Sequence, residues 1–479
     1  MSSQLFATLS ATTHVTNVLG IDTVRLPSSA RPRRHGQPSS VPQTLGQDLR
    51  SALHSRRVPV ERSLLELLTC SAMRTVISNG SVLDTPTMEV IGQRDVVIED
   101  DVIVDVVENY HGKADQSIDA GGQFVVPGLI DGHVHFRLAT MDFRRLAAMS
   151  EVEYGVRMAE LAKATVERGF TTVRDLGGDV SGLIQAIQCG VADGPRIIRA
   201  GRMLTQTGGH GDVEGGPREA PSCACSMRST TFGIVADGPE AVRKAARHNL
   251  REGSDFLKVH VSGGVATPSD PLESIQYTHE ELQIAVVEAA HRHTYVSAHA
   301  YSPESISLAI GAGVHTIEHG NMLDNDAATT MATHGAVLVP TLVTYEAMED
   351  VGEKLGLPET NRRKNTKVYQ AGLASLEVAR SNGVTMAFGT DLIGETQVRQ
   401  NRELAIRHQV EPAVDVLRSM WQTTAELCQL QGKIGVLTPG AYGDVVVSHV
   451  NPLEDLGAFS KPETAFSHVI QAGRVVVER

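Results

Sequence analysis

Two histidines one residue apart, His133 and His135, close the run Val126-Pro127-Gly128-Leu129-Ile130-Asp131-Gly132-His133-Val134-His135. Side chains alternate between the faces of a strand, so both imidazoles leave a buried strand end in the same direction. Neutral imidazoles held this way can grip a divalent ion at about 2.0 to 2.1 Å. Taken alone, such a pair is more often two packed or solvated histidines than a metal site. Four more residues able to bind metal lie late in or just after strand-like runs: Lys258 in Phe256-Leu257-Lys258-Val259, His299 after Ser297-Ala298, His319 after Ile317-Glu318, and Asp391 after Gly389-Thr390.

Positioning these residues requires a frame that gathers strand ends. From about Leu129 to Gly435 strand and helix patterns alternate. Tyr154, Met158, Leu161, Ala162 and Val166 form a helical stripe, and Thr171 to Asp175 follow as strand. Thr278 to Glu281 is a capping box, and Ser302 with Pro303 opens another helix. Further strands are read at Arg196 to Gly201, Phe256 to Val259, Tyr295 to His299, Val314 to His319, Ala336 to Leu342 and Val384 to Gly389. Counting from Val125, this predicts an α/β chain folded as a (β/α)8 TIM barrel over 129–435, with its site at the C-terminal strand ends. Such a barrel brings His133, His135, Lys258, His299, His319 and Asp391 onto one rim.

Both flanks of the barrel region are β-rich. Val76-Ile77, Asp95 to Ile98 and Val102 to Val107 precede it, and Gly443 to Val447, Ser467 to Ile470 and Arg474 to Val477 follow it. Residues 73–128 and 436–479 therefore read as one small β-sandwich domain built from both chain ends. Residues 1–72 differ: up to Val60 they hold only Asp22 and Asp48 as acids, against seven arginines. They read as a disordered or targeting-like tail, or as sequence upstream of a true start at Met73.

The 479-residue chain has 41% hydrophobic residues and a net charge of -13, which argues against nucleic-acid or anionic-membrane partners. No apolar run approaches the roughly 20 residues that span a bilayer. Its five cysteines form no framework, and a cytoplasmic, reducing setting is expected. Cys223-Ala224-Cys225 lacks the second pair a metal knuckle needs.

Seven stretches together resemble the amidohydrolase superfamily in its imidazolonepropionase-like branch, which holds Xaa-Pro dipeptidases, carboxypeptidase-like enzymes and ochratoxinase. They are Pro127 to His135, Thr205-Gln206-Thr207-Gly208-Gly209-His210-Gly211-Asp212, Leu257-Lys258-Val259 before Ser262-Gly263-Gly264, Ser297-Ala298-His299, Ile317-Glu318-His319-Gly320, Phe388-Gly389-Thr390-Asp391, and Leu437 to Asp444. The resemblance spans Arg74 to Arg479 and implies a binuclear site, usually zinc. It assigns His133, His135 and Asp391 to one ion and His299 and His319 to the other, bridged by a CO2-derived carbamate on Lys258. A free lysine, with a pKa near 10.4, would repel metal; its carbamate is an anionic oxygen ligand. Two ions roughly 3.5 to 4 Å apart can share a hydroxide and polarise a carbonyl. Asp391 would take the attacking proton and return it to the leaving nitrogen.

His210, in a glycine-rich loop, would by resemblance contact substrate and stabilise the oxyanion. His260 departs from the branch pattern; it points the same way as Lys258 and either lines or fills the pocket, with no ligand role assigned. His315 shares parity with His319 but starts its strand, which suits a structural role. The expected substrate is a small molecule, a dipeptide or N-acyl amino acid losing its C-terminal residue, with Arg228 or Tyr345 as candidate carboxylate contacts beside packing roles. The alternative is a urea, carbamate, thiocarbamate, cyclic amide or other xenobiotic, since fold does not fix substrate. A non-catalytic scaffold would lack ligands, and this chain retains all six. A homo-oligomer is expected.

Overall fold

Valine-rich strands at the two chain ends satisfy their backbone groups by pairing with each other. The structure is a computed structural model and describes residues 72–212, 232–267 and 270–479. Arg228, Cys223, Cys225 and all but the last residue of the 1–72 tail lie outside the described residues. Strands β1 (Arg74–Asp84), β2 (Glu89–Glu99), β3 (Val102–Val107), β4 (Gln116–Asp119) and β5 (Phe124–Pro127) join β16 (Val445–Ser448), β17 (Phe466–Gln471) and β18 (Arg474–Glu478) in one mixed sheet. The halves from the two chain ends meet where β5 pairs antiparallel with β16, from Pro127 opposite Val445 to Phe124 opposite Ser448. Edge-to-edge pairing leaves neither half with an open edge at that seam. Ile77, Val96, Ile98, Val125, Val445, Val447 and Ile470 share its apolar core.

Between β5 and β16 the chain is an α/β fold of the TIM-barrel-like kind with parallel strands. One set is β6 (Leu129–Val134), β7 (Phe170–Asp175) and β8 (Arg196–Arg199). The other runs β10-β9-β11-β12-β13-β14-β15, made of β9 (Met203–Thr205), β10 (Gly233–Val235), β11 (Leu257–His260), β12 (Val296–Ala300), β13 (Thr316–His319), β14 (Val337–Val339) and β15 (Thr385–Met386). Every residue of β6, β7, β11, β12 and β13 is buried, as parallel strands covered on both faces must be. Helices cover them: Glu151–Glu167 buries Tyr154, Met158, Ala162 and Val166 behind a Ser150 cap. The Thr278–Glu281 capping box opens His279–Ala290, and Ser302 caps Pro303–Gly311.

Two strands differ from their expected extents. The third breaks into β8 and β9 at Gly201, whose φ of 73° only glycine adopts readily. The break lets β8 stay on β7 while Leu204 of β9 registers with Val259 of β11. The last shrinks to two residues because the backbone after it turns toward β6: Gly132 N donates to Phe388 O at 2.8 Å and Asp391 N to His133 O at 2.7 Å. Those bonds bring Asp391 beside His133.

Candidate metal centre

Six potential ligands come from β6 and the residue after it, from β11, β12 and β13, and from the segment after β15. His133 Nε2 lies 3.2 Å from His135 Nε2, and Asp391 Oδ1 lies 3.4 Å from the first and 3.2 Å from the second. His133 Nδ1 donates to Glu318 Oε2 at 2.8 Å, which leaves its Nε2 as a lone pair. A proton on His135 Nε2 or a bound cation can satisfy this lone pair and the Asp391 oxygen beside it. Donors bound at 2.0 to 2.1 Å with tetrahedral angles stand roughly 3.3 Å apart, so the triangle fits one divalent ion. His319 joins it: ligand atoms of His133, His319 and Asp391 all fall within 4.8 Å of one another. Next to them, the His299 and His319 rings are 4.6 Å apart, and His299 Nε2 faces Gly263 O at 3.2 Å.

Lys258 is 2% exposed, and its Nζ has no hydrogen-bond partner. Burial lowers its pKa, Glu318 and Asp391 oppose this, Arg174 assists, and the result is about 8. A buried ammonium with three unmet donors is a poor resident; an amine partly neutral near pH 8 can react with CO2 and become an oxygen ligand. Burial also pushes the imidazoles of His299, His319 and His260 far down and that of His133 to about 4. They are neutral at physiological pH, as metal ligation requires. Burial raises Asp391, but His133, the His135 hydrogen bond and His319 outweigh it and hold the carboxyl far below its usual range.

Several neighbours of the candidate ligands hold them in place, and sequence reasoning gave none of them a role. Fully buried Glu318 also accepts from Arg174 Nη2 at 2.7 Å, Ser297 Oγ at 2.7 Å and Thr316 Oγ1 at 2.8 Å. Asp131 accepts from His133 N at 3.0 Å, Thr390 Oγ1 at 2.6 Å and Gln400 Nε2 at 2.7 Å, fastening β6 to the Asp391 segment. His319 Nδ1 bonds Thr341 Oγ1 at 2.9 Å. Strict alternation would put Glu318 and His319 on opposite faces of β13. His319 instead has φ 75°, and Asp391 has φ 52°; these left-handed conformations, costly for non-glycine residues, turn both side chains into the cluster. Adjacent acidic and imidazole groups around one buried centre were the available sequence signal.

The remaining predicted contacts also gather here. His210 stacks on His299 with ring centroids 4.4 Å apart, and His260 stands edge-on to both rings at 5.2 and 5.4 Å. His260 Nδ1 is buried without a partner. Tyr345 is buried 6.4 Å from the His319 ring, with its hydroxyl 2.8 Å from that of Tyr301. His315 lies before β13 against Tyr295, away from the cluster.

Residues 124–476 match the family model described as Amidohydrolase family. An ochratoxinase of Aspergillus niger is 30% identical over 363 residues, covering 73% of this chain and 75% of its own. A crystal structure of a prolidase complexed with N-methylphosphonate-L-proline superposes with a TM-score of 0.81 at 39% identity, over 85% of this chain and 100% of that one. A Xaa-Pro dipeptidase with methionine in its active site gives 0.74 at 28% identity, over 84% and 99%.

Proposed function

The chain belongs to the amidohydrolase family, in its imidazolonepropionase-like branch, and is a hydrolase of C–N bonds; from that premise we propose that it cleaves the amide bond of a dipeptide or N-acyl amino acid. The similar prolidase and Xaa-Pro dipeptidase make an Xaa-Pro dipeptide the first substrate to try. The observation that carries the reading is the 3.2, 3.2 and 3.4 Å triangle of His133, His135 and Asp391 donor atoms. On this reading the two parallel sheets close as a (β/α)8 barrel over 129–435, and the terminal sheet folds as a sandwich over 73–128 and 436–479.

His133, His135 and Asp391 would hold one divalent ion, zinc by family habit, and His299 and His319 a second, with Lys258, as its carbamate, a further oxygen ligand. Bound ions of this kind supply Lewis acidity and a water made acidic near neutral pH. The chain's own groups do the rest. Asp391, kept ionised by its imidazole neighbours, accepts the proton released on attack at the carbonyl and passes it to the departing nitrogen. An amine expelled unprotonated is too poor a leaving group, so this transfer sets the direction of cleavage. His210, stacked on His299, contacts the substrate from the glycine-rich loop.

A hydrolysis screen of the metal-loaded protein tests this. Xaa-Pro, Xaa-Arg and Xaa-Phe dipeptides, N-acyl amino acids, ochratoxin A, phenylureas and carbamates would be compared by kcat/KM. Highest turnover on peptides or N-acyl amino acids is expected; activity confined to ureas or carbamates would contradict it.

A further inference from the structure

His210 is gripped at three points by residues outside its loop. Its Nδ1 lies 3.1 Å from Asp270 Oδ2, its backbone N–H donates to Gln276 Oε1 at 3.0 Å, and its carbonyl accepts from Thr267 Oγ1 at 2.7 Å. Asp270, 1% exposed, takes two donors on each oxygen. Gly264 N at 2.8 Å joins His210 on Oδ2; Ser274 Oγ at 3.0 Å and Gln276 Nε2 at 2.8 Å share Oδ1. The segment bearing Asp270 is tied down from the helix Glu359–Ser381. Lys364 Nζ donates to the carbonyls of Gly264, Thr267 and Asp270, and Asn361 Nδ2 to those of Val265 and Ala266. The ring fits so closely that a Cβ on Gly264 would stand 2.1 Å from His210 Cε1.

We propose that Asp270 is the positioning residue of His210: it holds the ring against His299 and fixes the Nδ1–H tautomer, so that Nε2 is the atom offered to substrate. The inference rests on the reading of His210 as a substrate contact. A carboxylate accepts only, so the hydrogen between Asp270 and His210 belongs to the imidazole. With both Asp270 oxygens already receiving two donors, an amide in its place leaves one side without an acceptor. Lys364 and Asn361 hold the carbonyls of that segment where Asp270 can do this.

The test combines kinetics with nitrogen spectra. Asp270→Asn is made in the unaltered chain and in His210→Ala, each loaded with zinc, with metal content and Tm recorded. Asp270→Asn is expected to lower kcat at least about tenfold, in line with the 10–100-fold typical of partners that orient a functional histidine, with KM little changed. In His210→Ala it should change kcat by less than about twofold, because a residue acting through His210 has nothing left to act on. An equal loss in both backgrounds, or none in the first, would overturn the proposal. Gly264→Ala, which keeps Asp270 but crowds the ring, covers the case where Asp270→Asn does not fold; full activity there would likewise overturn it. In 15N-histidine-labelled protein, His210 Nδ1 should carry the proton in the unaltered chain, and that preference should be lost in Asp270→Ala, which removes the acceptor outright. The spectra stand whether or not the chain hydrolyses a dipeptide, so failure of the substrate reading and of this inference are told apart; an Nε2–H tautomer in the unaltered chain refutes the inference alone.

Discussion

At the scale of single residues, Glu318 ties the candidate ligand His133 to buried Arg174. Its carboxylate serves two donors at once, the His133 Nδ1–H on one oxygen and the Arg174 guanidinium on the other, all with side chains at most 1% exposed. Glu318→Gln offers one oxygen where both need an acceptor. We predict a 10–100-fold loss of metal affinity, read by chelator competition, from the freed His133 ring. Leaving buried Arg174 without its counter-charge should also cost about 3–5 kcal/mol, read as a lower Tm of the metal-free chain. A lower Tm with unchanged metal affinity would confine Glu318 to the fold. The six candidate ligands stand out in the sequence because each lies at or near the end of a strand-like run. Glu318, Arg174, Asp131 and Asp270 do not, since their partners depend on cross-strand register and on left-handed turns at His319 and Asp391 that residue patterns do not reveal.

At the scale of elements, helix Leu342–Val351 follows β14 directly and starts at Thr341, whose hydroxyl is committed to His319 instead of capping the helix. Glu403 stands in from 60 residues away, accepting from Val343 N at 2.6 Å while fully buried. Burial raises its pKa, Arg407 and the backbone donors oppose this, and it settles near 8. The folded chain thus keeps a proton that the unfolded chain releases near pH 4.3, so stability is full below that value and falls as pH rises toward about 8. The slope is at most about 1.4 kcal/mol per pH unit. Glu403→Gln should flatten it between pH 5 and 8 in urea unfolding at fixed metal content; an unaltered slope would show that Glu403 is ionised in the fold. Helix starts at Thr278 and Ser302 were readable from local caps, whereas a cap supplied from another helix was not. The split at Gly201 and the two-residue β15 escaped for a related reason: both are set by where neighbouring strands and β6 require hydrogen bonds.

At the scale of the whole molecule, the terminal sheet and the parallel strands are joined by polar as well as apolar contacts. Arg196 of β8 reaches Asp444 at 2.7 Å and lies 3.9 Å over the Tyr442 ring, while Gly128 N donates to Asp444 O at 2.9 Å. The β-rich character of both ends was evident from their valines, but their pairing through β5 and β16 was a tertiary choice that either half alone leaves open. Among the described residues no helix is long and apolar enough to cross a membrane. The account depends on five distant segments delivering ligands to a single centre, and counting bound metal tests that most directly. Zinc-reconstituted, exhaustively dialysed protein should carry two ions per chain by plasma mass spectrometry, and His133→Ala or Asp391→Ala of unchanged fold should lose at least one. Metal-free wild-type protein after reconstitution, or variants that keep both ions, would contradict it.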